Sequence, residues 1–129
     1  GMTGTHVGCE HGICGACTIL FNNVPVRSCL LLAPQIDQGE ITTIEGISEN
    51  NTYDDLREAF KKYHALQCGY CTPGFITTIV YLLEKKQFLK EEEIREKLSG
   101  NICRCTGYTG IVKAVEEVIL NRFKRSKND

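Results

Sequence analysis

The chain has 129 residues, of which 42% are hydrophobic and 24% charged, and its formal net charge at pH 7 is −1. This composition is typical of a globular protein with one domain or two small ones, and the balanced charge excludes a general attraction to nucleic acid or an anionic membrane. The sequence contains no apolar run near the ~20 residues of a membrane span, and no leader with a cleavage site opens it, which favours a cytoplasmic protein.

Eight cysteines are the unusual feature of the composition. In a secreted chain they would predict disulfides, whereas in a reducing compartment they indicate metal or redox ligands. Six of them form close pairs, at Cys14/Cys17, Cys68/Cys71 and Cys103/Cys105. Such pairs favour convergence on a metal, because the disulfides of small secreted domains more often join distant loops.

The sequence from Cys9 to Cys17 contains the most specific of these motifs. Its cysteines have the spacing C-x4-C-x2-C, and a further cysteine follows after eleven residues. This is the pattern of a plant-type [2Fe–2S] cluster, with Cys9, Cys14, Cys17 and Cys29 as the predicted ligands. Glycines at positions 8, 12 and 15 strengthen the match, because they let backbone N–H groups approach the cluster sulfurs.

The first third of the chain is predicted to be rich in β-strands. Residues 18–21 and 24–28 form a candidate hairpin across Asn22-Asn23, since asparagine tolerates the left-handed backbone of tight turns. Pro25 predicts that the second arm is an edge strand or starts late. Residues 40–45 are the next predicted strand.

Helical periodicity replaces the β pattern from about residue 47. Four helices are predicted, over residues 53–63, 72–86 and 91–98 and from about residue 110 into the low 120s. The second begins at a capping Thr72 followed by Pro73. We therefore expect an α+β chain in which the apolar helix faces form the core.

The four remaining cysteines precede predicted helices. Cys68 and Cys71 lie before the second helix, and Cys103 and Cys105 lie before the fourth. The partial positive charge of helix N-termini suits an anionic iron–sulfur centre, and each loop is expected to bind one iron. Four thiolates also form structural zinc sites, so zinc is a competing interpretation here. The first motif favours iron, because two clusters make an electron path.

Motifs for other chemistries are missing from the sequence. His11 stands where half of a Rieske motif would have its histidine, but no C-x2-H follows. The CxxC pair lacks the βαβ context of thioredoxin-like proteins, and no phosphate-binding loop or dinucleotide fingerprint occurs. No catalytic residue is therefore predicted in this chain. Gln67, Tyr70, Arg104 and Tyr108 flank the second group of cysteines and either pack its loops or tune a cofactor.

Three segments together resemble the iron–sulfur subunit of the molybdenum hydroxylases, the family of xanthine dehydrogenase, aldehyde oxidoreductase and carbon monoxide dehydrogenase. They are residues 3–17 (TGTHVGCEHGICGAC), 67–74 (QCGYCTPG) and 100–108 (GNICRCTGY). The resemblance implies a ferredoxin-like β-grasp domain over residues 1–46 and a four-helix [2Fe–2S]-binding domain over residues 47–129. In the family a hairpin and a helix precede the first motif, so the β-grasp domain is predicted to be partial, truncated at its N-terminus.

The resemblance also implies cofactors and partners. One cluster would be bound by Cys9, Cys14, Cys17 and Cys29, and the other by Cys68, Cys71, Cys103 and Cys105. Gln67 and Cys105 match family positions near the molybdopterin of a large partner subunit, and the first cluster would lie toward a flavin subunit carrying FAD. The implied function is single-electron transfer from molybdenum through two clusters. A free-standing two-cluster carrier and a zinc-stabilised interaction module are the alternatives.

Overall fold

The structure is a computed structural model and describes residues 1–49 and 51–125. Within these residues it contains the strands β1 (Thr18–Phe21), β2 (Val24–Arg27) and β3 (Ile41–Thr42) and the helices α1 (Ile44–Glu49), α2 (Asp54–Lys62), α3 (Thr72–Glu84), α4 (Glu91–Leu98) and α5 (Thr109–Arg125). Three short 3-10 turns lie between these elements. This mixture of helices with a small sheet agrees with the predicted α+β class.

β1 and β2 form the predicted hairpin. They pair antiparallel, with Phe21 opposite Val24. Asn22 and Asn23 have φ angles of 49° and 62°, the left-handed values that a type I′ hairpin turn requires. The strand order β2-β1-β3 leaves β2 at an edge of the described sheet. This is the position that Pro25 predicts, because proline cannot donate a hydrogen bond to a neighbouring strand.

The predicted strand over residues 40–45 is wrong in extent. β3 covers only two residues, and α1 begins at Ile44. The N–H of Ile47 donates to the Thr43 carbonyl at 3.1 Å, and the Thr43 hydroxyl donates to the Glu45 carboxylate at 2.7 Å. These local hydrogen bonds start a helix at β-branched residues whose propensity favours a strand.

Four of the helices lie where the periodicity predicts them. α4 has the predicted bounds, whereas α3 ends at Glu84 and α5 begins one residue early. The predicted cap of α3 is displaced by one position. Thr72 is the first helical residue, Cys71 occupies the N-cap position, and no side chain caps this end. Cys71 therefore stands directly at the start of α3.

One hydrophobic core joins the sheet to the helices. It contains Leu20 of β1 and Ile47 of α1 together with residues of α2, α3, α4 and α5. α3 lies at its centre, since nine of its thirteen residues are buried. Because α3 packs directly on β1, the loops that lead into these two elements are brought together. None of the described helices is long and apolar enough to cross a membrane.

Candidate metal centres

The loop before β1 brings together the four thiols of the first motif. The electrostatics of the Cys9 thiol depend on Cys14, and those of the Cys29 thiol depend on Cys17 and Cys9, so the four thiols lie within interaction range of one another. Cys29 lies in the 3-10 turn after β2, so the hairpin returns it to this loop. The N–H and the hydroxyl of Ser28 fix the position of Cys29 next to the loop, because they donate to the Cys17 carbonyl at 3.3 and 2.9 Å.

Backbone N–H groups point at the sulfur of Cys9. The N–H of Cys14 lies 3.4 Å from Cys9 Sγ, and the N–H groups of His11 and Ile13 also donate to it. These hydrogen bonds lower the pKa of Cys9 to about 6, because they stabilise the thiolate more than desolvation disfavours it. At Cys29, desolvation prevails and raises the pKa of the thiol. A sulfur that accepts several N–H groups suits a thiolate ligand of an anionic cluster.

The loop is too close to its own thiols for a side chain at Gly8. A Cβ at this position would lie 2.8 Å from Cys14 Sγ, so any larger residue would displace a predicted ligand. Gly12 has a φ angle of 78°, a left-handed value that glycine adopts without steric cost. These glycines therefore permit the tight loop that the motif predicts.

The second group of four thiols lies at the starts of two helices. Cys105 Sγ is 3.5 Å from Cys68 Sγ, and the thiols of Cys71 and Cys103 lie close enough to shift each other's pKa. Each contact therefore joins one cysteine of the loop before α3 to one cysteine of the loop before α5. This pairing differs from the expectation that each loop binds one iron by itself.

Thr106 supports the sulfur of Cys103. Its N–H and its hydroxyl lie 3.4 and 3.1 Å from Cys103 Sγ. Burial opposes ionisation of Cys103, but these hydrogen bonds outweigh it and lower the pKa of the thiol. At Cys71, burial dominates and raises the pKa to about 12. A thiolate at Cys71 therefore needs a neighbouring cation, which a bound iron provides.

The residues predicted to flank the second group have different environments. Gln67 Nε2 donates to the Cys105 carbonyl at 3.1 Å, and both residues are exposed. The Tyr108 hydroxyl accepts the N–H of Cys103 at 3.0 Å, so Tyr108 braces the loop from inside. Arg104 is exposed. Gln67 and Tyr108 thus contact the loop that carries two predicted ligands.

Residues that the sequence analysis did not select connect the two groups of thiols. The N–H of Ile102 donates to the Cys14 carbonyl at 2.9 Å. Asn101 is buried and reaches the Gly15 carbonyl. His6 contacts Tyr70, which lies between Cys68 and Cys71. The spacing of residues in the sequence does not predict these contacts. Only Asn101 could have been suspected, because it is a polar residue inside the third motif.

The donor set fits [2Fe–2S] clusters. All eight cysteines are free thiols, and hydrogen-bond donors point at the sulfur of Cys9 in the first group and of Cys103 in the second. Within residues 1–49 and 51–125, no three His, Cys, Asp or Glu side chains are arranged around a single metal ion. A [2Fe–2S] cluster differs from a single ion in that its four thiolates bind two irons in pairs. In the second group the Sγ atoms of Cys68 and Cys105 form such a pair, 3.5 Å apart.

Comparison with known proteins identifies the class. Residues 43–116 match the family described as the [2Fe-2S] binding domain. The match begins just before α1 and includes the second group of cysteines, α1 to α4 and the first half of α5. The fold and the thiols therefore define an iron–sulfur protein.

Similarity to individual proteins identifies the family within this class. Caffeine dehydrogenase subunit gamma of Pseudomonas sp. (strain CBB1) is 50% identical over 120 residues, covering 91% of this chain and 72% of that subunit. The nicotine 6-hydroxylase small subunit of Paenarthrobacter nicotinovorans is 54% identical over 114 residues, covering 88% and 68%. The crystal structure of quinoline 2-oxidoreductase from Pseudomonas putida 86 matches with a TM-score of 0.87 and 43% identity, covering 96% of this chain and 77% of that chain. The chain belongs to the family of iron–sulfur subunits of molybdenum hydroxylases.

Proposed function

We propose that this chain is the electron-transfer subunit of a molybdenum-cofactor hydroxylase or dehydrogenase. It passes electrons singly from the molybdenum centre of a partner subunit, through two [2Fe–2S] clusters, to a flavin or another acceptor. The observation that carries the proposal is the arrangement of eight free thiols in two groups of four, with hydrogen-bond donors directed at one sulfur of each group, that of Cys9 and that of Cys103. Membership of the family supports the role as part of an oxidoreductase.

The thiol contacts support a specific assignment of ligands to irons. In the first cluster, Cys9 and Cys14 bind one iron, and Cys17 and Cys29 bind the other. In the second cluster, Cys68 and Cys105 bind one iron, and Cys71 and Cys103 bind the other. The clusters supply one-electron chemistry, since each accepts and releases a single electron. The chain contributes no acid, base or nucleophile in this proposal.

The protein adjusts the two clusters by burial and hydrogen bonding. Cys17 is 2% exposed and Cys103 is 7% exposed, whereas Cys68 and Cys105 are open to solvent. An exposed edge at Cys68 and Cys105 suits electron entry from a partner. We therefore place Gln67 and Cys105 next to the molybdopterin of the large subunit, with FAD on a further partner. The contact of Gln67 with the Cys105 carbonyl supports this placement.

A two-domain organisation belongs to the same proposal. Residues 1–46 form the ferredoxin-like domain, and residues 47–129, of which 50 and 126–129 lie outside the described residues, form the domain that contains α2, α3, α4 and α5. α1 spans the boundary, and both parts contribute to one core, which supports a rigid pair of domains. That the β-grasp domain lacks its first strands stays a prediction. We place the chain in the cytoplasm, because cysteines that serve as metal or cluster ligands are favoured in a reducing compartment.

Metal analysis tests the proposal directly. Two clusters require about four irons and four sulfides per chain, and two distinct paramagnetic signals after reduction. Zinc in place of iron, or a colourless protein, would contradict the proposal. Co-purification of a molybdenum-containing subunit separates the proposed role from that of a free-standing carrier, because a carrier has no such stable partner.

A further inference from the structure

We infer that Asn101 is a positioning residue that holds the two proposed cluster loops in one relative arrangement and thereby sets the electron transfer between them. Asn101 is two residues from the proposed ligand Cys103, and its side chain reaches the loop of the other cluster. The inference rests on the proposed function, because it requires clusters in both groups of thiols.

The side chain of Asn101 bridges three parts of the fold. It is 3% exposed. Its Nδ2 lies 3.2 Å from the carbonyl of Gly15, between Cys14 and Cys17, and its Oδ1 lies 2.9 Å from the hydroxyl of Thr78 on α3. The Gly15 carbonyl can only accept a hydrogen bond, so the amide nitrogen must face it and Oδ1 must face Thr78. The amide therefore has one orientation that satisfies both contacts.

Arg27 and Thr18 extend this network to the hairpin. The Thr18 hydroxyl donates to the Gly15 carbonyl at 2.6 Å and accepts a hydrogen bond from Arg27 Nη1 at 2.7 Å. Arg27 Nη2 donates to the carbonyl of Gly100, the neighbour of Asn101. The network thus joins β1 and β2 to the loop before α5, and a satisfied buried network of this kind favours a single arrangement.

The backbone contact beside Asn101 links a proposed ligand of each cluster. The N–H of Ile102 donates to the Cys14 carbonyl at 2.9 Å, and Cys103 follows Ile102 in the chain. Cys14 and Cys103 are therefore connected by one hydrogen bond and a short stretch of backbone. Asn101 anchors this stretch to Gly15 and to Thr78. Removal of the Asn101 side chain would therefore allow the hydrogen bond between Ile102 and Cys14 to lengthen.

Close packing makes the two loops sensitive to Asn101. Gly15 has a φ angle of 74°, and a Cβ there would lie 2.6 Å from Asn101 Nδ2 and 2.6 Å from the Gly100 carbonyl. No side chain separates the loops at this point, so movement of Asn101 is transmitted directly to the backbone between Cys14 and Cys17.

An apolar residue could fill the same buried space without the cost of desolvating an amide. The hydrogen bonds of the polar side chain therefore define how the two loops are arranged, which burial of an apolar residue would not do. Electron transfer between clusters depends steeply on their separation and orientation, so a residue that defines the arrangement of the loops controls this step.

The test compares iron-loaded Asn101→Ala and Thr78→Val with the unsubstituted chain. Ser99→Ala is the matched control, because the Ser99 hydroxyl donates to the Glu96 carbonyl at 2.7 Å within the same connection. The magnetic interaction between the clusters is measured by electron paramagnetic resonance of the fully reduced chain. The rate of transfer between them is measured by rapid freeze-quench after the oxidised chain is mixed with less than one electron equivalent of dithionite, so that one cluster stays oxidised and can accept the electron. In Asn101→Ala we expect unchanged iron content, loss of the splitting caused by the magnetic interaction and slower electron transfer. In Thr78→Val we expect a smaller loss of the splitting, and in Ser99→Ala we expect no change.

Iron-loaded Asn101→Ala with the splitting and the transfer rate of the unsubstituted chain would overturn the inference. A merely structural role lowers the unfolding temperature without changing either quantity, so that result also counts against it. If Asn101→Ala does not hold both clusters, Thr78→Val decides by the same criteria. Failure of the proposed function is distinguishable, because the unsubstituted chain then contains no iron, or contains iron but has no molybdenum-containing partner.

Discussion

The imidazole of His6 stacks on the phenol ring of Tyr70, with the ring centroids 4.4 Å apart and the planes inclined by 15°. His6 Nδ1 lies 2.8 Å from the Tyr70 carbonyl, which can only accept, so this nitrogen carries the proton. The Tyr70 hydroxyl donates to the Val7 carbonyl at 2.6 Å. Because Tyr70 lies between Cys68 and Cys71, these contacts tie the segment before the first motif to the second site.

Substitutions of this pair separate the stack from the hydrogen bonds. Tyr70→Phe keeps the stacked rings and loses the bond to Val7, so we expect the free energy of unfolding to fall by about 0.5–1 kcal/mol. His6→Ala loses the stack and the bond to the Tyr70 carbonyl, and we expect a fall of about 1–2 kcal/mol. Denaturant unfolding measures both values. Equal losses in the two variants would show that the stack contributes nothing.

Single ligand substitutions test the independence of the two sites. Cys14→Ser removes a proposed ligand of the first cluster, and Cys103→Ser removes one of the second. In each variant we expect iron to fall from about four to about two per chain, because one cluster is lost and the other is retained. Paramagnetic resonance of the reduced protein should show a different signal missing in each case, so each variant is the control for the other. Loss of both signals in both variants would argue against two separate clusters.

The hydroxyl of Thr106 offers a test of cluster tuning. Thr106→Val keeps the shape of the side chain and the backbone N–H, but removes the donor 3.1 Å from Cys103 Sγ. Hydrogen bonds to sulfur stabilise the reduced, more negative cluster, so we expect a lower reduction potential of the second cluster. A redox titration followed by paramagnetic resonance measures the shift.

Thr77→Val is the matched control for this titration. Thr77 is buried in α3, and its hydroxyl donates to the Pro73 carbonyl of the same helix at 2.9 Å. Thr77→Val makes the same change of side chain at a residue that does not contact a cysteine. The reduction potentials of both clusters should therefore be unchanged. An unchanged second potential in Thr106→Val would mean that its hydroxyl has no effect on the cluster.

An ion pair between α2 and α5 offers a test of stability away from the thiols. Arg122 Nε and Nη2 donate to the two carboxylate oxygens of Asp55 at 2.8 and 2.7 Å. Both side chains are partly buried. We expect Arg122→Gln to lower the free energy of unfolding by about 1 kcal/mol at neutral pH. A double-mutant cycle with Asp55→Asn isolates the contribution of the pair, and a coupling energy of zero would contradict the prediction.

The ion pair of Asp55 and Arg122 predicts how the free energy of unfolding depends on pH. Burial alone would raise the pKa of Asp55, but the hydrogen bonds and the charge of Arg122 outweigh it and lower the pKa. A lowered carboxyl pKa stabilises the fold above the unfolded value, about 3.9, and this stabilisation is lost as the pH falls through the folded value. The advantage of the unsubstituted chain over Arg122→Gln should therefore be constant near neutral pH and shrink below about pH 4. Unfolding measured across this range checks the sign.

Local sequence determined most of the secondary structure. The hairpin follows from Asn22-Asn23, because few residues accept the left-handed angles of its turn. The apolar periods place four helices. The strand predicted over residues 40–45 fails because the hydrogen bond from Thr43 to Glu45 favours a helix start that β propensity does not report. The spacing of the cysteines also predicted which thiols belong to each group, and their role as ligands stays a prediction.

Only the tertiary structure decided how the two groups are arranged. The contact of Cys68 with Cys105 crosses between loops, and the bonds from Asn101 to Gly15 and from His6 to Tyr70 join residues far apart in the chain. Such contacts depend on how α3 packs against β1 and α5 against α2. The period of a helix states which face is apolar, but it does not state which other element covers that face. Spacing alone therefore predicts two sets of thiols, whereas the packing of the elements decides how those sets are joined.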